Sequence, residues 1–61
     1  MKVIECTTTD NKSIWINPNS IIDFQESEGK TGKTAIFYGV VALKLIINES
    51  PQWLAQKINE G

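Results

Sequence analysis

Few side chains in this sequence have the chemistry of a catalyst. Cys6 is the only cysteine in 61 residues and histidine is absent, so neither a Cys–His nucleophile pair nor a zinc ligand set can be assembled. A lone thiol without a base reads as a small buried hydrophobe, of a kind that suits a reducing cytoplasm. The carboxylates near enough in sequence to work as acid and base are Asp23 with Glu26 or Glu28, and such a pair must face one cleft. They adjoin a stretch expected to be a flexible loop, in a body too small for a substrate cleft, and read as solvated acids. Gly32-Lys33-Thr34 has the ending of a phosphate-binding P-loop. Ser27 stands where that pattern needs glycine, and β-branched and aromatic residues follow where it needs a helix. The expectation is a non-enzymatic protein with no cofactor and no metal.

What remains is aromatic and basic. If Ile14 and Ile16 face the core, the two-residue period of a strand sends Trp15 to the opposite side. Trp53 falls beside the Leu54–Ile58 stripe of a helix rather than within it. Half-exposed aromatic rings anchor protein interfaces, so the candidate partner-binding residues are Trp15, Trp53, Phe37 and Tyr38, with Lys30 and Lys33. The alternative is a single-strand nucleic-acid binder that stacks bases on Trp15, Phe24, Phe37 or Tyr38 and runs Lys12, Lys30, Lys33 and Lys44 along the backbone. Six lysines, no arginine and seven acids leave a net charge of −1. That removes the long-range attraction to phosphate and the bidentate donor that reads bases, so nucleic acid is the less favoured partner and a protein partner or a second copy the expected one.

These residues need a scaffold. At this length folding buries only roughly 60 % of the unfolded chain's surface, which makes help from a partner or a second copy plausible. Strands are expected at about residues 2–8, 13–17, 21–26, 34–39 and 42–48, with a helix at about 51–59. Ile4 and Cys6 point inward in the first strand, Asp10-Asn11 suits a tight hairpin turn, and Asn17-Pro18-Asn19-Ser20 turns a corner. In the third strand Phe24 is the expected core residue. Residues 27–33, with two glycines and no apolar side chain, form an exposed and mobile connection. The apolar run 35–47 is too long for one strand and breaks near Gly39–Ala42. Ser50 caps the helix, Pro51 opens it, and Glu49 favours its dipole. The whole is one mainly β domain: five short antiparallel strands in a small SH3-like barrel or curled sheet, with a C-terminal helix. With no signal-peptide core at the N-terminus and no apolar run long enough to span a bilayer, membrane insertion is not expected and the cytoplasm is the default location.

Ile4 and Cys6, Asp10-Asn11, Ile16-Asn17, Ile21, Glu49-Ser50 and the helix face Leu54–Ile58 together resemble the FlbD-like family of small flagellar-operon proteins. The resemblance covers nearly the whole chain and implies a shared fold and, more loosely, a flagellar partner. The longer apolar 35–47 run, without an Asn-Gly turn, and Trp53 in place of a charged residue depart from that pattern. In layout the chain is also similar to small archaeal chromatin proteins that pair a five-stranded SH3-like barrel with a short helix, and Gly29-Lys30-Thr31-Gly32-Lys33 looks like their glycine-lysine loop. Those proteins are strongly basic, so their DNA binding is not expected here. The functional expectation is a small bacterial or phage interaction protein that binds a protein partner and self-associates through an apolar or aromatic patch.

Overall fold

The computed structural model describes residues 2–60. In order the elements are β1 (Ile4–Thr7), β2 (Ser13–Ile16), a 3-10 turn (Pro18–Ser20), β3 (Ile21–Glu26), β4 (Thr34–Tyr38), β5 (Leu43–Ile47) and α1 (Pro51–Glu60). The five expected strands and the helix are present, most with ends one or two residues from the expected ones. β1 and β2 form an antiparallel hairpin, and β3-β4-β5 form an antiparallel meander. The two sheets meet at one corner, through a bridge between Thr8 and Ile47 and an Asn48 N–H donated to the Thr7 carbonyl at 2.8 Å. Among the described residues no strand pairing closes the sheets into a barrel.

Local chemistry explains the turns. Asn11 takes the left-handed conformation (φ 64°), and the Asn11 N–H to Thr8 carbonyl bond with the Thr8 N–H to Lys12 carbonyl bond closes the first hairpin; asparagine is one of the few side-chain-bearing residues that tolerates this geometry. Asn17 accepts from the Asn19 N–H at 2.9 Å, which starts the 3-10 turn that Pro18 pre-sets. The 27–33 connection is exposed over most of its length and is hydrogen-bonded within itself. Two successive turns are closed by Lys30 N–H to Ser27 and Lys33 N–H to Lys30 carbonyl bonds, Glu26 Oε2 accepts from Gly32 N–H at 3.1 Å, and Ser27 itself is buried.

The apolar 35–47 run breaks where expected. Gly39 (φ 78°) and Ala42 (φ 54°) are both left-handed, and they bracket the β4–β5 hairpin tip Val40-Val41. In β3 strict alternation would put Ile22 on the same side as Phe24. Instead Ile21 pairs with Tyr38 and Asp23 with Phe37, so two residues of β3 match one step of β4. This bulge turns Ile21 and Phe24 toward the core and leaves Ile22 56 % exposed, as an extra residue in one strand must do.

The core is Ile4, Cys6, Ile36, Ile47 and Leu54, with Phe24, Tyr38, Leu45, Trp53 and Ile58 among the half-buried residues packed on it. Both sheets and the helix contribute. Burying each large aliphatic side chain is worth about 1.5–3 kcal/mol, so Leu54, fully buried, is what holds α1 down; a ten-residue helix is too short to persist alone. Ser50 Oγ accepts from the Trp53 N–H at 3.1 Å, the expected N-cap. Glu49 has a different task from the one its position suggests: its Oε1 accepts from the Thr7 N–H at 3.0 Å, tying the helix start to β1.

Asn48 completes this corner. Its Nδ2 donates to the Thr8 carbonyl at 2.8 Å and to Asn11 Oδ1 at 3.2 Å, and its Oδ1 accepts from Lys33 Nζ at 2.6 Å. Thr34 Oγ1, fully buried, donates to the Glu49 carbonyl at 2.7 Å. Residues 48–50 therefore clasp the first hairpin, the start of β4 and the helix. The lysine and threonine of the P-loop-like tail are absorbed into that clasp.

Candidate interaction surface

β2 and β5 belong to different sheets and do not pair with each other, which leaves a seam between them. Into it opens a cleft of about 250 Å³, walled by Ile14, Ile16, Ile21, Tyr38 and Leu45 with Trp15 on its rim. No charged side chain lines it. Each wall follows from the strand period: Ile14 and Ile16 are on the inner side of β2, and Ile21, Tyr38 and Leu45 are on the inner face of the three-stranded sheet. Trp15, directly across from Glu5 on β1, is 61 % exposed.

The β4–β5 tip exposes further apolar side chains. Tyr38 pairs with Leu43 at the end of the sheet, and the Gly39 N–H donates to the carbonyl of Ser20, a residue of the cleft wall, at 3.0 Å. Beyond that bond Val40 is completely exposed, Val41 is 73 % exposed and Leu43 is more than half exposed. Two adjacent valines at the centre of a turn, where polar residues and glycine are favoured, are the residues that reasoning from the sequence passed over. The signal was available, since a turn was expected at Gly39–Ala42 and Val40-Val41 is its middle.

The structure distributes the other candidates. Trp15 and Tyr38 share the cleft. Trp53 covers the edge of the core, with the Lys57 ammonium 5.8 Å from its ring centre. Phe37 is on the outer face of the sheet, between Asp23 and Lys44 across the strands. Lys30 is exposed in the 27–33 turns, and Lys33 is engaged by Asn48. The four rings named for base stacking are thus divided, since Phe24 and Tyr38 lie on the inner face and Phe37 on the outer. A broader, open crevice brings Lys12 and Lys44 together, with Asp10 beside them.

Of the carboxylates considered for catalysis, Asp23 and Glu26 do not face one another. Alternation places Asp23 and Glu26 on opposite faces of β3, and Glu26 is used by Gly32. Cys6 is fully buried, and burial, reinforced by the negative charges of Glu49 and Glu5, pushes its thiol up to about 11. At neutral pH it is protonated, the unreactive form. Among the described residues no helix is long and apolar enough to cross a membrane.

The chain matches no family model, no curated protein and no solved structure.

Proposed function

We propose that the protein is a non-enzymatic interaction module that binds a protein partner along the cleft and the β4–β5 tip, acting in the cytoplasm of a bacterium or a phage-infected cell. The observation that carries this reading is the exposure of Trp15, Val40, Val41 and Leu43 in a body that also has an uncharged, largely apolar cleft. So much aliphatic and aromatic exposure in so small a body costs solubility and supports a binding role. In its finer architecture we read an SH3-like barrel opened along the β2–β5 seam, with the partner filling the opening. The likeness to the FlbD-like family makes a flagellar component one partner to try, and the interaction reading does not depend on it.

The test is a photo-crosslinking amino acid placed at position 15 or, as a control on the outer face of the sheet, at position 23. Position 15 should give discrete protein adducts in cells and position 23 should not. Equal labelling at both positions, or none at either, would refute the reading. The nucleic-acid alternative is checked in parallel by tryptophan fluorescence. Oligonucleotides should leave it unchanged at low salt, and salt-sensitive quenching would replace the protein partner with single-stranded nucleic acid.

A further inference from the structure

We infer that the free edge of β5 takes an extended acidic segment of a partner protein, which adds to the three-stranded sheet as a further antiparallel strand. This rests on the interaction reading above and names the chemistry of the partner. β4 pairs with β5 on one side, from Leu43 to Ile47. On the other side, among the described residues, the single bridge from Ile47 to Thr8 is its only strand contact. Backbone groups alternate between the two sides along an antiparallel strand. The Asn48 N–H donates across the free side to the Thr7 carbonyl, so the N–H groups of Ile46 and Lys44, two and four residues earlier, face that side too. The Ser27 N–H to Lys33 carbonyl rung gives the same phase when carried through β4. No group among the described residues bonds these two N–H groups. An unpaired edge of this kind is completed by main chain in the extended form, which makes the occupant a strand.

Side chains select what that strand carries. The crevice beside this edge is lined by Lys12 and Lys44 with one acid, Asp10, and the ion pair among the described residues uses neither lysine, joining Lys57 to Glu60 instead. Two ammonium groups against one carboxylate leave the crevice positive on a molecule whose net charge is −1. The same charge selects against a second copy. β5 laid antiparallel on the β5 of another copy would bring two Lys44 side chains onto one face of the joint sheet, where like charges repel. A strand with acids on that face meets attraction instead. The residues between those acids take the opposite face, the face of Leu45. There Leu45 and Ile14 line both the crevice and the apolar cleft, so apolar side chains suit the alternate positions. The segment that fits is a short run in which acidic and apolar residues alternate.

The probe is a peptide of about eight residues alternating glutamate and valine, added up to roughly 1 mM to the full chain while amide hydrogen exchange is followed by nuclear magnetic resonance. The Lys44 and Ile46 amides should exchange about 10-fold more slowly in its presence, and a lysine–valine peptide of the same length should leave them unchanged. Lys44→Glu alters an exposed side chain and should keep the wild-type circular dichroism spectrum. In that variant the glutamate–valine peptide should bind about 10-fold more weakly. No slowing at Lys44 and Ile46, equal slowing by the two peptides, or a Lys44→Glu variant that binds like wild type would overturn the inference. Slowing that grows with the concentration of the chain alone would make the occupant a second copy and overturn it as well. Should the crosslinker at position 15 capture a protein while the peptide leaves β5 unprotected, the interaction reading stands and strand addition falls; with no adduct at position 15, both fall.

Discussion

Replacing Asn48 tests whether the polar corner holds the two sheets together. Asn48→Asp keeps size and shape, keeps an acceptor for Lys33 Nζ, and adds a charge to that contact. It loses the Nδ2 donor, so the 2.8 Å bond to the Thr8 carbonyl and the 3.2 Å bond to Asn11 Oδ1 become contacts between acceptors. Each lost bond is worth about 1 kcal/mol net, while the Thr8 carbonyl keeps the bond it accepts from the Asn11 N–H. Against this, a partly exposed Lys–Asp pair returns at most about 1 kcal/mol. The balance is a loss of about 1–2 kcal/mol. Asn48→Ala loses the Lys33 contact too and should lose about 2–3 kcal/mol. In a body this small the core supplies a stability of only about 3–5 kcal/mol, so either change is large. Urea unfolding followed by far-ultraviolet circular dichroism reads it directly. With a slope of about 1–3 kcal/mol per molar urea, the Asn48→Asp midpoint should fall by roughly 1 M. A variant as stable as wild type would show that the Nδ2 contacts contribute nothing and that the Thr8–Ile47 bridge, the Asn48 N–H to Thr7 carbonyl bond and the Glu49 contact with the Thr7 N–H suffice to join the sheets.

Cys6 gives a pH signature. Its thiol ionises near 9.0 when unfolded and near 11 when folded; a raised folded value means that stability is complete below pH 9 and declines as pH rises through 11, by about 3 kcal/mol in all. The urea midpoint of the wild-type protein should therefore fall more steeply between pH 9 and 11 than that of Cys6→Ala, and parallel slopes would refute the assignment. Ala42→Gly relieves the left-handed strain at the β4–β5 tip and should raise stability by about 1 kcal/mol, seen as a melting temperature higher by about 4–8 °C. A lower melting temperature would mean that the alanine is packed rather than strained. Leu54→Ala empties the contact that docks α1 and should cost about 2–5 kcal/mol, enough to unfold most of the chain at 25 °C by circular dichroism, whereas Gln56→Ala on the exposed side of the same helix should be silent.

The order of elements was legible because each was written in a local pattern. Alternating Ile4 and Cys6, the Asp10-Asn11 turn, the break at Gly39 and the Ser50-Pro51 start are all decided within a few residues. Three features were not legible, and each depends on a partner distant in the chain. The inward side of β3 was ambiguous because Ile21 and Ile22 occupy both parities, and only pairing with β4 places the bulge that selects Ile21. Glu49 looked like a dipole partner for the helix that follows it, but the Thr7 N–H, 42 residues away in sequence, claims its carboxylate. The 27–33 segment had a loop's composition, and its two turns are stitched by Glu26 and by backbone bonds that composition does not encode.

The exposed apolar residues lie between these cases. The strand period predicts the exposure of Trp15, since a tryptophan facing away from Ile14 and Ile16 is left outside the core, and it is 61 % exposed. Val40 and Val41 were hidden by the richness of their surroundings. Inside a run that reads as buried strand, two more β-branched residues look like core. Once Gly39 and Ala42 turn the chain there, the same residues lie beyond the end of the sheet, where no element of this small body reaches them. A run that apolar has two fates in a chain this short: residues near its two ends, Ile36 and Ile47, join the core, and the turn at its middle, Val40-Val41, is left exposed.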